Sequence, residues 1–199
     1  MPEISDTYFW IELISTVLGI WAVWLATRQN VLTWPIGIFS IVLAIITYKH
    51  KAFYADLFLQ FYYVVSCFYG WYVWNKMGYR ESKSSKSIRL TAFALCITLA
   101  IILAFPTGYA MQNLNVWLPK YFTEPAAFPF ADSIVLTGSL IAQYLMARKI
   151  IQHWLLWIVI DILAATLYAQ KELYFFAAQY LLFAILAVYG WLNWQKTND

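Results

Sequence analysis

Charge is what this chain has least of. Of its 199 residues only 12% are Asp, Glu, Lys or Arg, whereas 63% are hydrophobic. A soluble domain normally carries about 25% charged residues, so this stock cannot build a water-facing surface and a bilayer must serve as the solvent. The net charge of +3 comes from basic residues set between apolar runs rather than gathered in patches, which argues against a nucleic-acid partner. The two cysteines, Cys67 and Cys96, lie in apolar stretches without metal-ligand spacing and read as small core residues. The two histidines, His50 and His153, fall at predicted span ends on opposite sides of the membrane. There is no nucleophile elbow, no phosphate-cradling glycine loop and no paired-histidine metal motif, so neither enzymatic chemistry, a metal nor a cofactor is expected. The N-terminal stretch carries Glu3, Asp6 and Glu12 with no basic region and no small-residue cleavage site, unlike a removable signal peptide.

What the chain does have is a repeat. Sliding the sequence by 120 residues sets 12–74 against 132–194 without a gap, with identity at 15 of 63 positions. Arg28 meets Arg148, Trp34 meets Trp154, Tyr48 meets Tyr168 and Lys51 meets Lys171. Tyr-Gly-Trp at 69–71 with Trp74 meets the same pattern at 189–191 with Trp194. A repeat inside an apolar chain is typical of secondary transporters, which bind cargo near the bilayer midplane where the repeats meet.

A helix needs about 20 largely apolar residues to cross a bilayer. Seven segments qualify, roughly 9–27, 33–50, 53–75, 89–112, 131–147, 153–170 and 174–195. Helix is the only choice, because open strands leave backbone groups unpaired in lipid. The connections inside each repeat are short, so sequential helices are antiparallel neighbours. Nine Lys and Arg residues (Arg28, Lys76, Arg80, Lys83, Lys86, Arg89, Arg148, Lys149, Lys196) fall on one side and four (Lys49, Lys51, Lys120, Lys171) on the other. The richer side is expected to be cytoplasmic, with the N-terminus outside and the C-terminus inside. Both repeats then enter the membrane in the same direction. The expected fold is an all-α membrane protein arranged 3+1+3: a first three-helix bundle at 9–75, a linker helix at 89–112 and a second bundle at 131–195. Parallel repeats of this kind occur in the SWEET sugar transporters.

Aromatic residues make up 20% of the chain, and Phe9, Trp10, Trp74, Trp117, Trp154 and Trp194 lie near predicted span ends. An interfacial belt is expected for most of these rings. Residues 76–89 read as a basic connecting loop. Residues 113–130, with Pro119, Pro125 and Pro129 among aromatics, read as a static connector in the outer interface or, as the alternative, a lid over a substrate path, and Pro106 should kink the fourth span or end it early.

Polar groups within apolar spans are costly and are therefore the functional candidates. Asp161 sits in the middle of the sixth span, where an Asp costs about 2.5–3.5 kcal/mol on insertion scales. Trp154, Trp157, Asp161 and Tyr168 share one helical face, a strip of two indoles, a carboxylate and a phenol suited to a flat, polar, cationic ring. A buried, protonated or hydrogen-bonded Asp is the alternative. The third span offers Asp56, Gln60, Tyr63, Trp71 and Trp74, and the seventh offers Gln179, Phe183, Leu186, Gly190 and Asn193. Gln60 and Gln179 each bring donors and an acceptor for hydroxyls or an amide, or bond a neighbouring helix. Asn193, close to the cytoplasmic end, reads as interfacial. Glu12 and Asp132 form a symmetric pair expected to hold structure against Lys51 and Lys171, or to gate. Gly70 and Gly190 are expected to allow close helix packing.

Trp34-Pro-Ile-Gly-Ile38, the run FYADLFLQFYYVV at 53–65 and YGWYVW at 69–74 resemble the first half of the PnuC family of vitamin-precursor transporters. FPFADS at 128–133, ARK at 147–149 and WLLWIVID at 154–161 resemble its second half. The resemblance covers nearly the whole chain. It implies a homotrimer of seven-helix protomers in a bacterial inner membrane, carrying nicotinamide riboside by facilitated diffusion for NAD synthesis. The family's WxxW signature falls on Trp154 and Trp157, whose indoles would flank the ring. Asp161 stands where some riboside carriers have Asn, and short relatives with Asp there include proteins thought to carry thiamine. Both compounds are cationic aromatics, for which a carboxylate beneath two indoles is equally suited. Proton coupling through Asp161, or a scaffold or receptor whose aromatic faces are all packing, are the competing functions.

Overall fold

Apolar runs of this length satisfy their own backbone only as helices, and helices are what the computed structural model of the protein shows. The structure describes residues 2–50, 54–76, 85–122, 125–172 and 174–196, with side chains from Phe9 to Ile46 and from Gln60 onward within those ranges. Among the described residues the helices are α1 (Pro2–Thr27), α2 (Thr33–His50), α3 (Tyr54–Lys76), α4 (Leu90–Trp117), α5 (Pro129–Ala147), α6 (His153–Gln170) and α7 (Tyr174–Gln195). Five of these hold stretches long and apolar enough to cross a membrane: 9–27 in α1 and the whole of α4, α5, α6 and α7; α2 adds a shorter apolar stretch, Thr33–Ile46. Lys51, the side chains of His50 and Asp56, and most of the basic loop, 77–84, lie outside the described residues.

Helix ends recur at the offset read in the sequence. α2 and α6 begin and end 120 residues apart, as do the starts of α3 and α7 and the ends of α1 and α5. The caps recur as well. Gln29 and Lys149 both take the left-handed conformation, at φ 53° and 56°. Asn30 N–H then donates to Leu25 O and Ile150 N–H to Leu145 O, closing Schellman-type caps that satisfy the last carbonyls of α1 and α5.

Two expectations about the linker are corrected. α4 neither ends at Pro106 nor stops near 112, but runs unbroken to Trp117. Proline removes one N–H donor, and Thr107 Oγ1 donates to Leu103 O in the same turn. The connector therefore begins after Trp117, not at 113.

Sequential helices pack as neighbours, α1 on α2 and α2 on α3, then α5 on α6 and α6 on α7; α1 meets α7, and α3 meets α5. α4 packs chiefly against α5. There Thr137 Oγ1 donates to Ala100 O at 2.9 Å, and Gly108 leaves room for the Phe130 ring. The chain leading into α4 is tied to the turn before α6. Lys86 N–H donates to Lys149 O and Ile151 N–H to Lys86 O, both at 2.8 Å, while Gln152 Nε2 donates to Ser87 Oγ and Ile88 O.

The aromatic belt is half of what the sequence implied. Phe9, Trp10 and Trp117 are exposed, as lipid- or interface-facing rings should be. Trp74, Trp154 and Trp194 are not, with relative exposures of 3%, 2% and 0%. Together with Trp34 they form the centre of a buried cluster at the end of the bundle that carries Arg28 and Arg148. Trp34 meets Trp74 edge-on at 5.1 Å and Trp154 meets Trp194 edge-on at 5.7 Å, the geometry the ring quadrupoles prefer. Gly70 and Gly190 make this possible. A Cβ at Gly190 would lie 2.6 Å from Trp154 Cε2, and one at Gly70 would clash with Cη2, Cζ2 and Cζ3 of the Trp34 ring. The close approach these glycines permit is to an indole rather than to a helix backbone.

Candidate functional site

A cavity of about 250 Å³ lies between α1, α2, α3, α5, α6 and α7. α6 supplies Trp154, Trp157 and Asp161, three and four residues apart and so on one helical face. Asp161 is 3% exposed and makes no ion pair or hydrogen bond among the described residues. From α3 come Gln60, Tyr63 and Cys67, with the Tyr63 ring 6.5 Å from that of Trp157 and tilted 48° to it. From α7 come Gln179, Tyr180 and Phe183.

Six of the seven residues singled out in the sequence thus face one space: Trp154, Trp157, Asp161, Gln60, Gln179 and Tyr63. Tyr168 does not line it. Its ring stacks on Phe176 at 5.4 Å and on Tyr180 at 5.2 Å, placing it behind two residues that do. Trp154 is held more tightly than a free stacking platform would be, with Gly190 against its ring, Trp194 at its edge and His153 4.5 Å away. Trp157 is the more open of the two indoles.

The sequence reasoning missed Trp34, Gln143, Tyr180 and the serines of α1 and α2 as lining groups. Gln143 carried a legible signal, being an amide inside an apolar span like Gln60 and Gln179; its Nε2 donates to Cys67 Sγ at 3.8 Å. Ser15 and Ser40 each donate to the other's carbonyl, at 2.9 and 2.8 Å, joining α1 to α2 along the wall. Asn193, near the end of α7, has a structural partner. Its Nδ2 donates to Thr27 O at 2.7 Å, binding α7 to the end of α1. Asp132 pairs with Lys171 at 2.9 Å; Glu12 lines the cavity, and Lys51, the partner expected for it, lies outside the described residues.

Carboxyl groups reach the cavity from both halves of the molecule. The described lining includes two carboxyl groups, Glu12 and Asp161, and no Lys, Arg or His. The rest is aromatic, amide, hydroxyl and apolar. Such a lining offers ring faces and hydrogen-bonding groups together. Among the described residues no group of three or more His, Cys, Asp or Glu side chains is placed to hold a metal.

Known proteins resemble the chain over nearly all of its length. A family model described as nicotinamide mononucleotide transporter matches residues 9–196. The nicotinamide riboside transporter PnuC of Escherichia coli (strain K12) is 29% identical over 205 residues, spanning 92% of this chain and 85% of that protein. The riboflavin/roseoflavin transporter RibM of Streptomyces davaonensis is 25% identical over 186 residues, spanning 93% and 84%. A crystal structure of the vitamin B3 transporter PnuC superposes with a TM-score of 0.71 at 23% identity, covering 95% of this chain and 82% of that one. That likeness establishes a shared fold.

Proposed function

Because this chain belongs to the nicotinamide mononucleotide transporter family, a family of membrane transporters, we propose that its own cargo is nicotinamide riboside, taken up by facilitated diffusion for NAD synthesis. The observation that carries the choice of riboside over mononucleotide is the lining of the cavity. A phosphate entering it would meet no Lys, Arg or His among the described lining residues to replace the hydration it loses. Relatives named for nicotinamide riboside support the same choice.

In this reading the nicotinamide ring lies against Trp157 with Trp154 at its edge, and Asp161 faces its positive charge. Gln60 and Gln179 bind the ribose hydroxyls or the amide, Tyr63 closes the side next to Trp157, and Tyr168 braces Tyr180 from behind. The scaffold is two like-oriented three-helix bundles joined by α4, supported by helix ends and caps that recur at an offset of 120 residues. Transport is alternating access, the bundles rocking about the cavity. The protein works as a homotrimer in a bacterial inner membrane, N-terminus outside and C-terminus in the cytoplasm, an orientation supported by the excess of Lys and Arg on one side.

Thiamine is the second cargo to test, because it too is a cationic aromatic and Asp161 suits both. Calorimetric titration of the purified protein with nicotinamide riboside, its mononucleotide, thiamine and riboflavin is the decisive measurement. Riboside binding with no heat from the mononucleotide is expected; mononucleotide binding as tight as riboside binding would overturn the charge argument. Proton coupling through Asp161 predicts accumulation driven by a pH gradient in liposomes, whereas free diffusion predicts none. A scaffold predicts that Asp161→Asn and Gln60→Ala leave uptake unchanged.

A further inference from the structure

The cavity has a floor, and the floor lies between the two halves of the molecule. Trp34 and Trp154 line the cavity from below and belong at the same time to the buried tryptophan cluster. Beneath them Trp74, from α3, and Trp194, from α7, lie 6.1 Å apart. Three further contacts cross between the halves here. Lys149, in the turn after α5, is wholly buried with its ammonium 4.4 Å over the Trp74 ring. Trp194 Nε1 donates to Ala26 O at 3.0 Å, and Asn193 Nδ2 donates to Thr27 O.

The same cluster is short of hydrogen bonds. The indole N–H groups of Trp34, Trp74 and Trp154 are buried without an acceptor among the described residues. His153 donates from Nδ1 to Ile150 O at 2.7 Å, so its Nε2 is an acceptor, also buried and without a donor among the described residues. Buried polar groups left unpaired raise the free energy of the state that buries them. The hydroxyls higher in the wall show no such deficit, Ser15 and Ser40 each donating to the other's carbonyl. Closure at this end is therefore made of interactions that cross the halves, and it carries a cost that hydration of the indole edges would relieve.

We propose that the four tryptophans form a gate at the Arg28–Arg148 end of the transport path, and that Lys149, seated on Trp74, is the latch that holds it shut. The proposal rests on the reading that the cavity opens alternately to the two faces of the membrane. Opening separates Trp74 from Lys149 and Trp194 from Ala26, and it exposes the indole N–H groups and His153 Nε2 to water. Lys149 touches no cargo in this scheme; it is a positioning residue for the gate.

A cysteine at Ala147, which is buried in the cluster and does not line the cavity, reports opening through a membrane-impermeant thiol reagent. In a chain with Cys67 and Cys96 changed to alanine, Lys149→Met should speed labelling at that position on the order of tenfold, the size a desolvated cation–π contact carries. Lys149→Arg keeps a cation over the ring and should label at the unmodified rate. Equal rates for Lys149 and Lys149→Met would overturn the latch. A second arm removes no charge: Thr27→Cys with Asn193→Cys, bridged by a short bifunctional thiol reagent, should stop counterflow of nicotinamide riboside, and cleavage of the bridge should restore it. Continued transport across the bridged gate would overturn the proposal. Should the unmodified protein carry no nicotinamide riboside, the cargo assignment falls, while the labelling rates still decide the gate.

Discussion

The α1–α3 half and the α5–α7 half use the same residues to pack and, Trp34 and Trp154 apart, different residues to face the cavity. Trp34 and Trp154, Gly70 and Gly190, and Trp74 and Trp194 are identical pairs, and all of them lie in or against the buried cluster. Along the cavity the matched positions diverge. Trp157 is matched by Gly37, Asp161 by Ile41, Gln143 by Val23 and Gln60 by Tyr180, and every one of these lines the space. A repeat supplies a symmetric frame, and a cargo with distinct ends needs an asymmetric lining. The mid-span carboxyl group and the open indole come from α6, while α2 offers the small Gly37 opposite.

The sharpest test of that division compares glycines. Gly190→Val places carbon 2.6 Å from Trp154 and Gly70→Val invades Trp34, so each should cost about 3 kcal/mol or more and leave little folded protein in detergent. Gly37→Ala adds a Cβ 3.7 Å from Cys67 Sγ, an ordinary contact, and should leave thermal stability within about 0.5 kcal/mol of the parent. Comparable unfolding temperatures for all three would erase the distinction between frame and lining.

Next come changes that make the halves alike. Gly37→Trp installs in α2 the ring that α6 already carries, filling the cavity; riboside binding should vanish by calorimetry while the far-ultraviolet spectrum is retained. Asp161→Asn removes the carboxylate that Ile41 never supplied, and should weaken a cationic ring about tenfold, or about 1.4 kcal/mol, with a neutral ring of the same shape unaffected. Equal losses for charged and neutral rings would mean Asp161 acts through packing. The smallest effect belongs to Lys171→Met. Its bridge to Asp132 joins side chains 27% and 32% exposed, so breaking it should cost under about 1 kcal/mol and less still at high salt, read as a melting temperature.

Much of this was legible in the sequence because polar residues punctuate the apolar runs. The ends of α2, α6 and α7 fall where the composition changes, and Asp161, Gln60 and Gln179 were findable as polar groups stranded in apolar helices. Gln143 met the same criterion. The fate of the tryptophans was less accessible, since an indole near a helix end reads the same whether it anchors in headgroups or turns inward. What decides is a partner glycine on another helix, Gly190 for Trp154 and Gly70 for Trp34, and that pairing exists only in three dimensions. Pro106 misled for a related reason: one missing donor does not stop a helix that lipid compels to persist.

One feature of α4 reaches beyond transport chemistry. At 28 residues it is about 42 Å long, against roughly 30 Å of hydrocarbon in an average bilayer. It must tilt, or thicken the lipid around it. Most of its surface is exposed, and its start is stapled to the turn carrying Lys149 through the Lys86 and Gln152 bonds. Turnover measured in liposomes of different acyl-chain length is the test of whether a change in tilt reaches the second half of the molecule, an effect expected only if Gln112, Asn113 and Asn115 do not simply project into the interface.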